Sequence, residues 1–200
     1  ENPETPEEPE TPVYVNPFTD VADSAWYAKS VQYAVQNGLF TGTSTPTFTP
    51  NGEMTRGMLV TVLYRAAGRP TVTGGRSYAD VKSSAYYAKA VQWASSIGLA
   101  TGYADSKFHP NDPVTREQVA KMLYYYADYS GRDVSAKADI TGYADYAKIS
   151  GYAVKYMQWT AAEGILTGSK NKLNPKGNAT RAEIASMLRR YMENKERMCE

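Results

Sequence analysis

The sequence predicts an all-α domain in which three helix–loop–helix repeats pack around a common axis with approximate threefold symmetry. Three observations lead to this prediction: one segment recurs three times, apolar residues follow helical spacing in each copy, and glycine and proline separate the two helical stretches of each copy. One helix pair cannot bury its apolar face alone, whereas three packed pairs can. We therefore expect one domain of six main helices, joined by irregular loops in which short strand-like or 3₁₀ pieces can occur.

The copies keep a nearly constant spacing along the chain. The offset is 60 residues between the first and second copies and 65 or 66 into the third, as at Asp20, Asp80 and Asp145. We assign repeat 1 to residues 16–72, repeat 2 to 73–134 and repeat 3 to 135–200, the last ending in a helical tail. Residues 1–15 form an acidic, proline-rich linker, since they have little to bury and their like charges repel. A linker at this end implies another domain upstream.

The first helix of repeat 1 is predicted from about Trp26 to Asn37. It ends at Gly38, a residue that readily takes the left-handed conformation that closes a helix. Its apolar positions have helical spacing and are expected to face inward. These positions are Ala28, Val31, Ala34 and Val35.

The loop that follows carries a Thr-Gly pair, an apolar residue expected to be buried, and a proline. The apolar loop residues are Phe48, Phe108 and Leu173. The second helix opens at Thr55, Thr115 or Thr180. Its expected buried faces are Leu59, Val62, Leu63 and Ala66 in repeat 1, Val119, Met122, Leu123 and Tyr126 in repeat 2, and Ile184, Met187, Leu188 and Tyr191 in repeat 3.

The start of each second helix combines a favourable cap with an unexpected cation. A threonine at the N-cap followed three residues later by Glu or Gln forms a capping box. Repeats 2 and 3 contain this pattern, whereas repeat 1 has Met58 in place of the Glu or Gln. Arg56, Arg116 and Arg181 then occupy the first helical position, where a cation is disfavoured by roughly 0.3–1 kcal/mol.

Two kinds of partner can compensate these arginines. One is a carboxylate within the fold, for which the aspartates that begin the repeats, Asp20, Asp80 and Asp145, are the candidates. The other is an anionic ligand, held by the guanidinium group together with the free N–H groups of the helix N-terminus. The residues alone leave both alternatives open, although internal Arg–Asp pairs are the more common arrangement in repeat proteins.

Composition excludes several other classes of protein. No apolar run approaches the roughly 20 residues of a membrane span, and the acidic start lacks the features of a signal peptide. There is no zinc-spaced Cys/His set, no basic run with interleaved aromatics and no calcium loop, so neither a metal site nor nucleic-acid binding is expected. Cys199 is the single cysteine, so it cannot form an internal disulfide. His109, the single histidine, has no counterpart in the other repeats and no nearby nucleophile motif, so neither a catalytic nor a metal-binding role is expected of it. The chain beyond its acidic start is modestly basic, which suits an anionic partner.

Each copy resembles the S-layer homology (SLH) module. The resemblance covers nearly all of residues 18–192: an F/Y-x-D-V start, a helix with an aromatic beginning, a G-hydrophobic-x-x-G turn, and a proline followed by T-R-x-E. The T-R-A-E signature is intact at Thr180–Glu183. The family implies three modules in a pseudo-threefold domain that binds pyruvylated secondary cell-wall polymers of Gram-positive bacteria without covalent attachment, in grooves between modules.

The resemblance also implies site residues. The arginines would be the principal contacts of the anionic sugar, and the cap threonines Thr55, Thr115 and Thr180 would belong to the same binding sites. The aspartates would orient the arginines or bind sugar hydroxyls, and three glycines would let the backbone approach the sugar. The glycines are Gly42, Gly102 and Gly168. The implied protein is a non-catalytic, extracellular module without cofactors that tethers a fused upstream domain to the cell wall. The alternative is a structural repeat domain for protein–protein or S-layer self-assembly contacts.

The repeats depart from the family pattern at the sites themselves. Gly57-Met58 stands in repeat 1 and Glu117-Gln118 in repeat 2 where the family prefers Ala-Glu. We therefore expect unequal grooves, one or more of them inactive. The conspicuous aromatics suggest either a surface that stacks on carbohydrate or packing within the fold, and packing is the preferred interpretation. Trp93 and Trp159 are predicted to serve core or inter-repeat packing. Trp26, Tyr86 and Tyr152 are predicted to pack near helix starts, with a groove edge as the alternative.

Overall fold

The computed structural model describes residues 14–197 and contains six α-helices within them, which confirms the predicted all-α class. The helices are α1 (Ala28–Gln36), α2 (Arg56–Ala66), α3 (Ala88–Ser96), α4 (Arg116–Tyr129), α5 (Val154–Ala162) and α6 (Arg181–Arg197). Two short 3₁₀ helices, Tyr146–Lys148 and Gly151–Ala153, precede α5, and there is no β-strand in residues 14–197. Most of the predicted linker, and Cys199, lie outside the described residues. None of these helices is both long and apolar enough to cross a membrane.

The sequence signals for helix ends agree with the structure. Gly38, Gly98 and Gly164 follow the first helices and have φ of 66°, 71° and 64°, the left-handed region that glycine adopts without strain. The first helix of repeat 1 is shorter than predicted, since it begins at Ala28 and not at Trp26. The cap residue of α1 is Tyr27, and its side chain makes no capping hydrogen bond.

Helices pair between repeats and not within them. The packed pairs are α2 with α3, α4 with α5, and α1 with α6. Each first helix therefore lies against the second helix of the preceding repeat, and the pair formed by α1 and α6 closes the ring between the two ends of the chain. The long loop between the two helices of a repeat permits this pairing with other repeats, because only a short loop forces consecutive helices to be neighbours.

A ring of three backbone hydrogen bonds joins the repeats at the axis. The N–H of Met54 donates to the carbonyl of Ala179 (2.8 Å), that of Ala179 to Val114 (2.9 Å), and that of Val114 to Met54 (2.9 Å). The three side chains are fully buried. Because buried backbone groups need partners, each repeat satisfies its axial N–H only when both neighbours are present.

The predicted core is confirmed with small exceptions. Phe48, Phe108 and Leu173 have no exposed surface, and the second-helix faces are buried except for the partly buried Ala66. On the first helix of repeat 1, Val31 and Ala34 are buried while Ala28 and Val35 are only partly so. Trp93 and Trp159 are 2% and 1% exposed, which confirms their place in the core.

The buried loop residues should contribute strongly to stability. We expect Phe108→Ala to lower the free energy of unfolding by about 3–5 kcal/mol, since it leaves a cavity beside the ring of Tyr78, 5.5 Å from that of Phe108. Val15→Ala, at a position 81% exposed, should change it by less than about 0.5 kcal/mol. Urea denaturation followed by circular dichroism measures both, and equal effects would contradict the assigned core.

Candidate functional site

Three equivalent grooves lie between the repeats, and every repeat contributes to each groove. A loop and second helix form the floor, the signature arginine comes from the preceding repeat, and an aromatic side chain comes from the following repeat. Groove 1, of 450 Å³, is lined by Gly42, Met58, Arg65, Tyr86 and Arg181, among others. Groove 2, of 250 Å³, has Arg56, Gly102, Gln118, Lys121 and Tyr152 in its lining. Groove 3, of 620 Å³, has Trp26, Arg116, Gly168, Glu183 and Arg190.

The three arginines hold neighbouring repeats together by the same pair of bonds. In repeat 3, the Nε of Arg181 donates to the carbonyl of Phe48 (2.7 Å), and its Nη2 donates to that of Thr41 (2.8 Å). Arg56 makes the equivalent bonds to Phe108 (3.0 Å) and Thr101 (3.0 Å). Arg116 makes them to Leu173 (2.9 Å) and Thr167 (3.2 Å). The arginines are 4–7% exposed, so each is both a link between repeats and part of a groove floor.

The N–H groups at the helix starts are not free for a ligand, contrary to the expectation from sequence. In α2 the N–H groups of Arg56 and Gly57 donate to the carbonyls of Asp112 (3.0 Å) and Pro110 (2.8 Å) in repeat 2. The equivalent bonds in α4 run to Gly177 and Pro175, and those in α6 to Gly52 and Pro50. The next N–H in each helix donates to the cap threonine, Thr55, Thr115 or Thr180. Helix N-termini therefore dock into the neighbouring repeat.

The cap geometry follows the sequence. Repeats 2 and 3 have complete capping boxes, in which Gln118 and Glu183 accept from the N–H of their cap threonines at 3.1 and 2.8 Å. In repeat 1 only the bond from the N–H of Met58 to Thr55 forms, at 3.3 Å. The threonine hydroxyls are thus engaged in capping.

The aspartates that begin the repeats shape their own loops. The two carboxylate oxygens of Asp80 accept from the N–H groups of Phe108 (3.0 Å) and His109 (2.7 Å). Asp20 binds Phe48 and Thr49 in the same way, and Asp145 binds Leu173 and Asn174. In each case the second residue has positive φ: 56° at His109, 58° at Thr49 and 51° at Asn174. The aspartates therefore support a backbone conformation that costs a non-glycine residue roughly 1–2 kcal/mol. The hydrogen-bond partners of the arginines are backbone carbonyls, joined at Arg116 by the carboxylate of Glu183.

The glycines face an aromatic ring of their own repeat. A Cβ on Gly102 would lie 2.5 Å from Cε1 of Tyr78, and one on Gly168 would lie 2.5 Å from Cε1 of Tyr143. A Cβ on Gly42 would lie 2.9 Å from Cε1 of Phe18. Packing of the first aromatic of each repeat thus accounts for these glycines without a ligand.

Trp26, Tyr86 and Tyr152 are 67%, 64% and 51% exposed and line the grooves, so the groove edge, which was the alternative from sequence, is the correct interpretation. The recurrence of a large aromatic at one place in all three repeats was the available signal. Sequence reasoning missed a second group of groove residues. Arg65, Lys121 and Arg190 add a further cation from the second helix to each groove, and Lys170 and Lys172 also line groove 3. The sequence signal for these further cations is weaker. Arg65 and Arg190 occupy equivalent positions of their repeats, but Lys121 lies one helical turn earlier.

The electrostatics of groove 1 favour an anion. Burial lowers the pKa of Arg181, and the nearby Asp20 and Tyr86 oppose this effect. Burial raises the pKa of Tyr86, whereas the positive charges of Arg65 and Arg181 act in the other direction. Two guanidinium groups therefore lie close to one phenol, an arrangement suited to a carboxylate with hydroxyl neighbours.

A methyl group at Gly102 should disrupt the loop of repeat 2. We expect Gly102→Ala to lower the free energy of unfolding by about 1–3 kcal/mol, because the new Cβ overlaps Tyr78 and the carbonyl of Lys107. Gly142→Ala is the matched control, since nothing lies within 4 Å of its Cβ position. Thermal melting of both variants tests this expectation, and an unchanged melting temperature in Gly102→Ala would contradict it.

The aspartates should make the fold sensitive to acid. Burial opposes the shift, but the N–H bonds from Phe108 and His109 hold the pKa of Asp80 below its ordinary value, and those of Asp20 and Asp145 are lowered likewise. Because the unfolded state then binds more protons, this stabilisation is present above about pH 4 and is lost as the pH falls through the folded-state pKa values. Asp80→Asn should melt at lower temperature near neutral pH and lose less stability on acidification, whereas the exposed Asp128→Asn should behave as the parent does. Melting curves from about pH 7 to about pH 3 provide the measurement.

Comparison with known proteins agrees with this architecture. The family model described as "S-layer homology domain" matches residues 17–57, 77–120 and 142–185, together more than half of the chain. An endoglucanase of Bacillus sp. (strain KSM-635) is 30% identical over 86% of this chain and 18% of its own length. The surface-layer 125 kDa protein of Lysinibacillus sphaericus is 27% identical over 90% of this chain and 15% of its own. A cellulosome-anchoring protein of Acetivibrio thermocellus is 25% identical over 73% and 33%. The chain thus spans a third or less of each of these relatives.

Proposed function

The chain belongs to the S-layer homology domain family, and we propose that it anchors a larger protein to the cell wall by binding an anionic, pyruvylated wall polysaccharide. As a member of this family it is an extracellular, cell-surface module. The module itself is proposed to be non-catalytic. Matches to enzymes such as the endoglucanase cover the anchoring region of this chain and less than a fifth of the enzyme.

The observation that carries the proposal is the threefold combination of a signature arginine, a second cation and an exposed aromatic in one groove. A pyruvate ketal offers a carboxylate on a sugar ring. Guanidinium groups bind carboxylates through charge-assisted hydrogen bonds, and an aromatic face supplies apolar contact to the ring. Each groove has both elements, and they come from different repeats, so the complete ring is needed to form any one site.

The ligand contacts differ from those expected on sequence grounds. Since the N–H groups of the first helical turn, the cap threonines and the aspartates are engaged within the fold, the proposed contacts are the unused guanidinium N–H groups, the second cation and the loop edge. Arg56, Arg116 and Arg181 therefore stay in the proposed site. Gly42, Gly102 and Gly168 contribute to it by keeping the loop edge flat beside the arginine.

One observation favours the competing hypothesis of a purely structural repeat domain. Every signature arginine already donates to two carbonyls of the next repeat, so removal of the arginine costs stability whether or not a ligand binds. The exposed aromatics separate the two hypotheses, because they have little role in the core. Trp26, Tyr86 and Tyr152 make the better binding test.

Purified pyruvylated wall polymer should bind the domain and should lose affinity when groove walls are truncated. We expect Tyr86→Ala and Arg65→Ala together to weaken binding about tenfold or more, since both line groove 1 and neither forms the axial ring. Isothermal titration gives the affinity, and a melting curve of the same variant confirms folding. Tyr129→Ala, an exposed tyrosine outside the three groove linings, is the control.

Polymer from which the pyruvate has been removed by mild acid should bind much more weakly. Equal binding of the depyruvylated polymer would contradict the proposed specificity. Absence of binding by the folded domain to either polymer would instead favour the structural hypothesis.

A further inference from the structure

The exposed aromatic walls of grooves 1 and 3 are each steadied by a neighbouring ring. In groove 3 the ring of Trp26 packs edge-on against that of Tyr27, with 5.3 Å between the ring centroids. In groove 1 the ring of Tyr86 packs edge-on against that of Tyr87 at 4.9 Å. Tyr27 and Tyr87 are partly buried against the core, so each gives the exposed ring a fixed partner.

Groove 2 lacks this arrangement. Its wall residue, Tyr152, lies in the 3₁₀ helix Gly151–Ala153. The residue that follows is Ala153, which has no exposed surface, so the ring supplied by Tyr27 and Tyr87 elsewhere is missing here. Another group must hold Tyr152 at the edge of the groove.

A buried carboxylate takes the place of that ring. Glu117, the second residue of α4, is 4% exposed, and its side chain reaches into repeat 3. Its Oε1 accepts from the hydroxyl of Ser150 (2.8 Å), and its Oε2 accepts from the N–H of the same residue (3.1 Å). The hydroxyl of Tyr152 lies 3.4 Å from Oε1. One side chain therefore fixes the residue before the 3₁₀ helix and contacts the far end of the tyrosine that this helix carries.

The two kinds of support exclude each other for reasons of size. The position of Glu117 is occupied by Gly57 in repeat 1 and by Ala182 in repeat 3. A Cβ on Gly57 would lie 3.1 Å from Cδ1 of Tyr87, so the supporting ring leaves no room for a longer side chain. Where Ala153 stands in place of the ring, a glutamate fits.

Charge holds this contact together. The Nζ of Lys176 donates to Oε1 of Glu117 at 2.7 Å, which compensates the burial of a carboxylate. Burial opposes the shift, but the bonds from Lys176 and Ser150 lower the pKa of Glu117, so the side chain is ionised at neutral pH. Burial and the charge of Glu117 raise the pKa of Tyr152 to about 12, so its hydroxyl keeps the proton.

We propose that Glu117 is the positioning residue of groove 2, where its carboxylate holds Tyr152 as a binding wall in the way that Tyr27 and Tyr87 hold Trp26 and Tyr86. Its effect on a ligand rests on the proposed function of the grooves, whereas its effect on Tyr152 does not. A wall that is already held loses less conformational freedom when a sugar binds. Glu117 therefore contributes to affinity although it is not part of the groove lining.

The position of Tyr152 can be measured in the ligand-free domain. The ring centre of Tyr152 lies 5.9 Å from Nζ of Lys121, and nuclear Overhauser contacts between the two side chains report this arrangement. Glu117→Ala introduces the residue found at the equivalent position of repeat 3, and it should abolish most of these contacts. Lys176→Met is the matched control, because it removes the ion pair but leaves the bonds from Glu117 to Ser150 and Tyr152.

Melting curves establish that both variants are folded under the conditions of the measurement. Unchanged contacts in Glu117→Ala would overturn the positioning role. Equal loss of the contacts in Lys176→Met would overturn it as well, since the ion pair between repeats would then account for the effect.

Binding by groove 2 alone is measured by isothermal titration in a domain that carries Trp26→Ala and Tyr86→Ala, with the purified pyruvylated wall polymer as the probe. In this background Glu117→Ala should weaken binding about three- to tenfold, while Lys176→Met should stay within about twofold. Because Glu117 acts through Tyr152, its replacement should cause no further loss in a domain that already carries Tyr152→Ala. A further loss of similar size would overturn this route.

The remaining failures are distinct. If the unmodified, folded domain binds no polymer, the proposed function fails, and the contacts of Tyr152 still decide the positioning role. If the unmodified domain binds but the variant with groove 2 alone does not, the contribution of Glu117 to affinity is overturned.

Discussion

The insertion of each second-helix start into the loop of the next repeat is the constraint on which the whole structure depends. The N–H groups of the first two helical residues, the arginine side chain and the axial N–H all find their acceptors in a neighbouring repeat. Within its own repeat each second helix finds only the threonine cap, and unpaired buried polar groups are costly, so the start of the helix depends on the next repeat. The ring must close, and the packing of α1 on α6 closes it. Each repeat is therefore only one third of a folding unit.

This insertion also explains why a cation stands where helix electrostatics disfavour it. The arginine at the first helical position is surrounded by carbonyl oxygens of the next loop, two bonded to its side chain and others to the N–H groups of the same turn. These oxygens carry negative partial charge, which offsets the repulsion between the arginine and the positive end of the helix dipole. The loop in turn is held in shape by the aspartate that begins its repeat, which supports one residue at positive φ, and by the glycine that admits the first aromatic ring. The aspartate and the glycine thus fix the shape of the loop, and the arginine of the preceding repeat binds the carbonyls of that loop.

The same geometry produces the grooves. An arginine that reaches across a repeat boundary to bond two carbonyls arrives at the surface between repeats with part of its donor capacity unused. The segment just before the first α-helix of the following repeat brings its exposed aromatic to the opposite wall. A groove with a cation on its floor and an aromatic on its wall is therefore a consequence of ring closure. Its three copies are chemically unequal because a single position beside the arginine varies from Met58 to Gln118 to Glu183, and because Tyr103 has small counterparts in the other loops.

The sequence by itself determined the helical class, the threefold repeat, the buried loop residues and the cap threonines, because these depend on local periodicity and on spacing that recurs along the chain. It also pointed to the arginines as unusual residues. Only the tertiary structure decided which helices pair, what the arginines bond to, and which side chains meet in a groove. Trp26 and Arg116 lie 90 residues apart in sequence and line the same groove. Such contacts depend on the exchange of helices between repeats, and the pattern within one repeat is the same whether its helices pair with each other or with a neighbour.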